Sequence, residues 1–164
     1  MVDSYTVELT VNGELVRREV SARLTLADFL RDELKLTGTH LGCEHGVCGA
    51  CSILLDGDAV RACLMFAVQA HGRSITTIEG LTPESGMSPL QQSFCEHHAL
   101  QCGYCTPGMI IAAEDFLGKT RSINAAAVRS ALSGNICRCT GYEPIVAAVL
   151  AEGQRRGIAE ADDE

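Results

Sequence analysis

The residues most able to do chemistry are the cysteines: the 164-residue sequence contains nine, and eight of them fall into two groups of four. The first group has the spacing C-x4-C-x2-C with a fourth member farther on, namely Cys43, Cys48, Cys51 and Cys63. The second has the spacing C-x2-C and then C-x-C, namely Cys102, Cys105, Cys137 and Cys139. The first spacing is that of plant-type ferredoxins and predicts a [2Fe–2S] cluster there, and the second group offers four thiols for another.

The surroundings of both groups suit a binuclear cluster. Gly42, Gly46 and Gly49 in the first group allow the tight or left-handed turns that present three sulfurs from nearly one turn of backbone. In the second group each cysteine pair precedes a predicted helix start, at Thr106-Pro107 and near Pro144. Two helix N-termini therefore face one site, and their positive dipole ends favour a dianionic cluster.

Other interpretations of the cysteines have to be weighed. Two structural zinc sites with four thiolates each are the main alternative, although zinc ribbons usually have two C-x2-C knuckles. A disulfide framework fits poorly with an odd cysteine count and no secretion signal. The ninth cysteine, Cys95, is predicted to be buried apolar filler inside a helix. The sequence has five histidines, and four of them are interpreted as surface or locally hydrogen-bonded groups rather than ligands: His40, His45, His97 and His98.

The elements that must position the first group follow an α+β pattern. Alternation from Tyr5 to Val11 and the pair Asn12-Gly13 predict a hairpin with a second strand over Leu15 to Val20. Thr25 is predicted to cap a helix, and residues 37–51 to form an irregular loop. Further strands are predicted over Ser52 to Leu55, Val60 to Leu64 and Ser74 to Ile78, with Asp56-Gly57 turning the hairpin that returns Cys63 to the loop.

The second group lies among predicted helices. After a Gly-, Pro- and Ser-rich linker over 80–88, helices are expected from Pro89 to about His98, from Gly108 to Leu117, from Ala125 to Leu132 and from about Tyr142 to Arg155. Gly118 and Gly134 are expected to stop two of them. The predicted units are therefore 1–79, a linker over 80–88, a four-helix unit over 89–157 and an acidic, solvated tail over 158–164.

Composition narrows the function classes. The net charge of −8 argues against nucleic-acid binding, which needs clustered Lys and Arg. No apolar stretch approaches the roughly 20 residues of a membrane span, and the start lacks the pattern of a signal peptide, so we expect a cytoplasmic protein. The sequence shows neither a Ser–His–Asp or Cys–His set nor a phosphate-binding loop, so we expect no substrate chemistry by this chain alone.

Three segments carry a family resemblance: GCEHGVCGACSILLDG followed by ACLMF, then LQCGYCTPGMI, then SGNICRCTGYEPI. They resemble the iron–sulfur subunit of the molybdenum hydroxylases, the family of xanthine oxidase, carbon monoxide dehydrogenase and quinoline or aldehyde oxidoreductases. The resemblance runs from about Tyr5 to about Ala151 and favours iron–sulfur clusters over zinc. It implies a plant-ferredoxin-like β-grasp domain followed by a four-helix bundle.

The resemblance also implies roles and partners. The first four cysteines would hold an outer cluster facing FAD or an external acceptor, and the second four an inner cluster beside molybdopterin, with Gln101 and Cys139 approaching the pterin. Arg138 is a candidate partner contact or a solvated side chain. A large molybdopterin subunit and a medium FAD subunit are expected, forming a heterotrimer that can dimerise; a cytochrome acceptor without FAD is the alternative. The substrate stays open among carbon monoxide, N-heterocycles, aldehydes and acyl-CoA thioesters.

Overall fold

The first strands form the hairpin that the sequence predicts. In the computed structural model, which describes residues 4–160, β1 (Ser4–Val11) pairs antiparallel with β2 (Glu14–Ser21) along its whole length. Asn12 and Gly13 connect them with φ values of 52° and 87°. Two successive residues with positive φ are the signature of a type I′ turn, whose twist matches that of the flanking strands.

Three more strands complete a five-stranded mixed sheet. β3 (Ser52–Leu55) and β4 (Asp58–Arg61) are antiparallel, and β5 (Ser74–Thr76) lies between β1 and β3. The order across the sheet is β2-β1-β5-β3-β4, and β1 and β5 are parallel. β3 begins directly after Cys51, so the sheet anchors one end of the cysteine loop.

A helix covers this sheet. α1 (Leu26–Asp28) continues as a π-helical turn over Phe29–Glu33. The Thr25 hydroxyl accepts a hydrogen bond from the backbone N–H of Asp28 at 3.0 Å, which confirms the predicted N-cap. The buried face of α1 and the π-helical turn completes the first hydrophobic core, whose largest members are Leu9, Leu26, Phe29, Leu30, Ile53 and Ile75.

Four helices dominate the rest of the described chain. They are α2 (Pro89–Glu96), α3 (Thr106–Lys119), α4 (Ala125–Ala131) and α5 (Glu143–Arg155). Ser88 and Asn124 cap α2 and α4 with their side chains, as the sequence predicts. These helices enclose a second core, built around Leu90, Phe94, Met109, Ile123, Val128, Ile145 and Val149.

Several predicted boundaries are wrong. The strand predicted over Val60 to Leu64 is β4, which ends at Arg61 and is followed by a 3₁₀ turn over Ala62–Leu64. β4 begins earlier than predicted because Asp58 pairs with Leu55 immediately after the two-residue turn.

Two C-terminal expectations also change. Gly118 does not stop α3, which runs one residue farther to Lys119; there the Lys119 side chain forms an i,i+4 ion pair with Asp115. In the predicted tail, β7 (Ala159–Glu160) pairs in parallel with β6 (Ser122–Ile123). Residues 161–164 of that tail, and residues 1–3 of the predicted first unit, lie outside the described part of the chain. No helix within residues 4–160 is long and apolar enough to cross a membrane.

Candidate metal centres

The first cysteine group lies on the loop between the π-helical turn and β3 and on the 3₁₀ turn after β4. Ser52 pairs with Arg61 across the hairpin, so the residues just beyond that pair meet: the backbone N–H of Ala62 donates to the carbonyl of Cys51 at 3.2 Å. The hairpin therefore returns Cys63 to the loop, as the sequence predicts. Cys51 is 2% exposed, while the other three members of the group are partly exposed.

The second group lies at the N-terminal ends of α3 and α5. Cys105 is the residue before α3, and the loop that carries Cys137 and Cys139 leads into α5 through Tyr142. The arrangement of two helix starts around one site is the predicted one. Cys137 is 7% exposed, whereas Cys139 is exposed.

The four thiols of each group lie near one another. In the second group the Cys102 and Cys139 sulfurs are 3.5 Å apart, and the Cys105 thiol contacts that of Cys137. In the first group the thiols of Cys43 and Cys48 interact, as do those of Cys51 and Cys63. Within residues 4–160 no three His, Cys, Asp or Glu side chains form the ligand set of a single metal ion. Two thiols for each of two irons is the donor arrangement that a [2Fe–2S] cluster requires.

The thiols of the first group differ in acidity. Hydrogen bonds from the backbone N–H groups of His45 and Cys48 lower the pKa of Cys43 to about 6, and the Cys48 N–H lies 3.3 Å from the Cys43 sulfur. Burial raises the pKa of Cys51 to about 11. Metal binding therefore has to displace the Cys51 proton, while Cys43 is already disposed to be a thiolate at neutral pH.

The second group shows the same contrast. Burial raises the pKa of Cys105 to about 12. A hydrogen bond with the Cys102 thiol raises the pKa of Cys139. Burial also works against ionisation of Cys137, but hydrogen bonds from the Thr140 hydroxyl and backbone hold the Cys137 pKa below its usual value.

The two cysteine loops are in direct contact. The backbone N–H of Ile136 donates to the carbonyl of Cys48 at 2.9 Å, and the Asn135 amide donates to the carbonyl of Gly49 at 3.2 Å. Gly49 has a φ of 75°, and a Cβ there would lie 2.7 Å from the Asn135 side chain. On α3, a Cβ at Gly108 would lie 2.3 Å from the Gly49 carbonyl oxygen. Only glycine allows this approach.

A second contact joins the loops through aromatic rings. His40 stacks on Tyr104 with ring centroids 4.7 Å apart, and its Nδ1 lies 2.7 Å from the Tyr104 carbonyl oxygen. The Tyr104 hydroxyl donates to the carbonyl of Leu41. His45 contacts the carbonyl of Cys43 within its own loop. These contacts agree with the interpretation of His40 and His45 as local hydrogen-bonding groups.

Sequence reasoning also missed or misplaced some residues. Cys95 is exposed rather than buried, with its sulfur 3.7 Å from that of Met87. The buried positions on α2 are Leu90, Ser93 and Phe94, and the Ser93 hydroxyl donates to the carbonyl of Ala148 at 2.7 Å. The cysteine spacing singles out neither Arg61 nor Asn135, although Asn135 lies in the segment SGNICRCTGYEPI, so only their tertiary contacts reveal their part in joining the loops. Gln101 and Arg138 are both exposed beside the second group.

Comparison with known proteins assigns both halves of the chain to iron–sulfur families. Residues 9–74 match the family model of the 2Fe-2S iron-sulfur cluster binding domain, and residues 77–150 match that of the [2Fe-2S] binding domain. The chain therefore consists of two [2Fe–2S]-binding domains.

Whole-chain relatives narrow the class. The nicotine 6-hydroxylase small subunit of Paenarthrobacter nicotinovorans is 55% identical over 153 residues, covering 93% of this chain and 92% of that protein. Caffeine dehydrogenase subunit gamma of Pseudomonas sp. (strain CBB1) is 48% identical over 165 residues, covering 99% of both. The crystal structure of quinoline 2-oxidoreductase from Pseudomonas putida 86 contains a chain with a TM-score of 0.89 and 48% identity, covering 95% of this chain and 99% of that one. The chain therefore belongs to the small, iron–sulfur subunits of the molybdenum hydroxylase family.

Proposed function

We propose that this chain relays electrons through two [2Fe–2S] clusters held by its eight grouped cysteines. The first cluster is assigned to Cys43, Cys48, Cys51 and Cys63, and the second to Cys102, Cys105, Cys137 and Cys139. The observation that carries this assignment is that the fold gathers the four thiols of each group: the Cys102 and Cys139 sulfurs are 3.5 Å apart, and the Ala62 N–H bond to the Cys51 carbonyl brings the turn that carries Cys63 back to the first loop. A plant-ferredoxin-like β-grasp unit over 1–79 and a four-helix bundle over 89–157 are proposed as the two supporting domains.

The chain's own residues bring the two sites together. When bound, each cluster supplies a site that gains or loses one electron at a time. The Ile136 N–H donates to the carbonyl of Cys48, so one hydrogen bond links a proposed ligand of the first cluster to the residue beside Cys137, a proposed ligand of the second. Two electrons released by an oxidation on a partner can thus be passed on one at a time.

Exposure of the second group supports a direction for the relay. Cys102 and Cys139 are exposed next to Gln101, whereas Cys137 faces the interior. We propose that Gln101 and Cys139 approach the molybdopterin of a large partner subunit, and that the first cluster passes electrons to FAD on a medium subunit or to another external acceptor. The assembly proposed is a cytoplasmic heterotrimer that hydroxylates its substrate with oxygen from water.

The names of the relatives suggest a substrate class. Nicotine, caffeine and quinoline, which appear in the names of the three proteins compared above, are all N-heterocycles. We propose an N-heterocyclic substrate for the assembled enzyme. Turnover of such a compound by the enzyme co-purified through this chain, with an aliphatic aldehyde as the comparison substrate, tests the class; preference for the aldehyde would contradict it.

The cluster assignment is tested by iron and sulfide analysis with electron paramagnetic resonance (EPR) spectroscopy. We expect about four irons and about four acid-labile sulfides per chain and two rhombic signals after reduction. Cys63→Ser and Cys105→Ser should each weaken one cluster signal, and Cys95→Ser, at an exposed cysteine outside both groups, should leave both intact. A colourless protein holding about two zinc ions when isolated from its native cells would refute the proposal.

A further inference from the structure

The Thr140 side chain lies beside a proposed ligand of the second cluster. Its hydroxyl oxygen is 3.1 Å from the Cys137 sulfur. The same oxygen accepts a hydrogen bond from the backbone N–H of Tyr142 at 3.2 Å. Because a hydroxyl has a single proton and the Tyr142 N–H occupies an acceptor position, the Thr140 proton is available to the sulfur.

The loop around this contact is held from both ends. The Tyr142 hydroxyl accepts a hydrogen bond from the backbone N–H of Cys137 at 2.9 Å, while the Tyr142 N–H reaches back to Thr140. These two bonds close the segment from Cys137 to Tyr142 on itself. These bonds therefore fix the position of the Thr140 hydroxyl beside the Cys137 sulfur.

The direction of the hydrogen bond follows from the chemistry of a metal-bound sulfur. A free Cys137 thiol can either donate or accept, but a thiolate bound to iron has no proton and can only accept. Thr140 is then the donor. Since Cys137 is only 7% exposed, water competes weakly for the sulfur and the interaction is less screened than at the surface.

We propose that Thr140 raises the reduction potential of the second cluster by donating a hydrogen bond to the Cys137 sulfur. This inference rests on the proposed function, because it takes Cys137 as a cluster ligand. Reduction adds negative charge to the cluster and its sulfurs, and a hydrogen-bond donor stabilises the more negative state. Removing the donor therefore favours the oxidised form.

The first cluster provides an internal reference. The hydrogen bond to the Cys43 sulfur comes from the backbone N–H of Cys48 at 3.3 Å, which a substitution at Thr140 leaves in place. A change confined to the second cluster thus identifies an effect of the side chain, whereas a change in both clusters indicates a general disturbance of the fold.

The test is an EPR-monitored redox titration of the assembled enzyme. Thr140→Val removes the hydroxyl at similar volume, and Thr140→Ser keeps it. At a fixed potential near the midpoint, we expect Thr140→Val to raise the ratio of oxidised to reduced second cluster about tenfold, equivalent to ~59 mV for one electron. The first cluster should titrate as in the wild type, and Thr140→Ser should stay close to the wild type. Thr140→Ala repeats the measurement if the second valine methyl crowds the loop.

Several results would overturn the proposal. An unchanged second cluster in both Thr140→Val and Thr140→Ala would show that the hydroxyl does not act on the potential. An equal shift in Thr140→Ser, which keeps the hydroxyl, would show that the shift does not come from loss of the hydrogen bond. A shift of both clusters would assign Thr140 a structural role only. A wild-type protein without iron–sulfur signals would instead refute the proposed function itself, so the two failures are distinguishable.

Discussion

The side chain that joins the two halves of the chain most directly is Arg61, at the end of β4. Its guanidinium donates to the carbonyl of Gly134 at 2.6 Å, to the Asn135 side-chain oxygen at 3.2 Å and to the Ser52 hydroxyl. Asn135 is 3% exposed and its amide donates in turn to the carbonyl of Gly49. Arg61 therefore fixes the residues that flank both cysteine groups.

Arg61→Met should loosen this junction by about 3 kcal/mol. A hydrogen bond from a charged donor contributes roughly 1.5–3 kcal/mol, and two such bonds cross between the halves. The Gly134 carbonyl lies on an exposed residue and can be rehydrated, but the Asn135 oxygen stays buried without its donor, which adds to the cost. A loss of about 3 kcal/mol increases the open population roughly 100-fold.

Two measurements on the assembled, cluster-loaded protein check this value. The midpoint of thermal bleaching of the visible spectrum should fall by roughly 6–12 °C for a chain of this size. The magnetic interaction between the two reduced clusters, seen as splitting of their EPR signals, should weaken because their separation is no longer fixed. Arg61→Lys, which keeps the charge but loses the planar fork, should fall between wild type and Arg61→Met.

Arg23→Met is the matched control, because Arg23 is an exposed arginine in the first half and away from the junction. It should change neither the bleaching midpoint nor the EPR splitting. If Arg61→Met behaves like this control in both measurements, the backbone contacts between the loops are sufficient and the role assigned to Arg61 is incorrect.

Two further predictions concern packing and charge. Gly108→Ala places a methyl group against the Gly49 carbonyl and should destabilise the protein by about 3 kcal/mol or more, whereas Gly118→Ala on the same helix meets open space and should stabilise it by about 0.5–1 kcal/mol; equal denaturation midpoints would contradict this. A hydrogen bond from the backbone N–H of Ser74 holds the pKa of Asp56 below its usual value, and a second hydrogen bond from the Arg73 side chain adds to this effect. Asp56→Asn, which still suits the left-handed turn, should lower thermal stability at pH 7, and its difference from the wild type should shrink as the pH falls below about 4, because protonation of Asp56 removes the same stabilisation. A difference that is independent of pH would show that the charge does not matter.

Local chemistry explains why much of the fold is readable from the sequence. The Asn12-Gly13 and Asp56-Gly57 turns adopt the positive φ values that these residues tolerate best, and Thr25, Ser88 and Asn124 cap the helices as predicted. Each of these signals depends on a few neighbouring residues. Boundaries such as the end of β4 depend instead on pairing with another strand, and were predicted less well.

The exposure of Cys95 depends on which face of α2 packs against the core, and local sequence does not decide that face. Leu90, Phe94 and the small residue Ser93 face the core, and Cys95 points away from it, because the surface that α2 presents is chosen by its packing against α5. A buried serine is possible here because its hydroxyl donates a hydrogen bond to the carbonyl of Ala148. That partner lies 55 positions away along the chain.

The sequence by itself determines the inventory of the two proposed centres, which is eight cysteines in two spaced groups of four. Only the tertiary structure decides how the centres are joined, through the Cys48–Ile136 hydrogen bond, the Arg61–Asn135 contacts and the approach of Gly108 to Gly49. The physical reason is the distance along the chain between the residues that interact. Spacing along the chain specifies which thiols share a loop, whereas contacts between loops form only after both cores have packed and brought distant backbone groups within hydrogen-bonding distance.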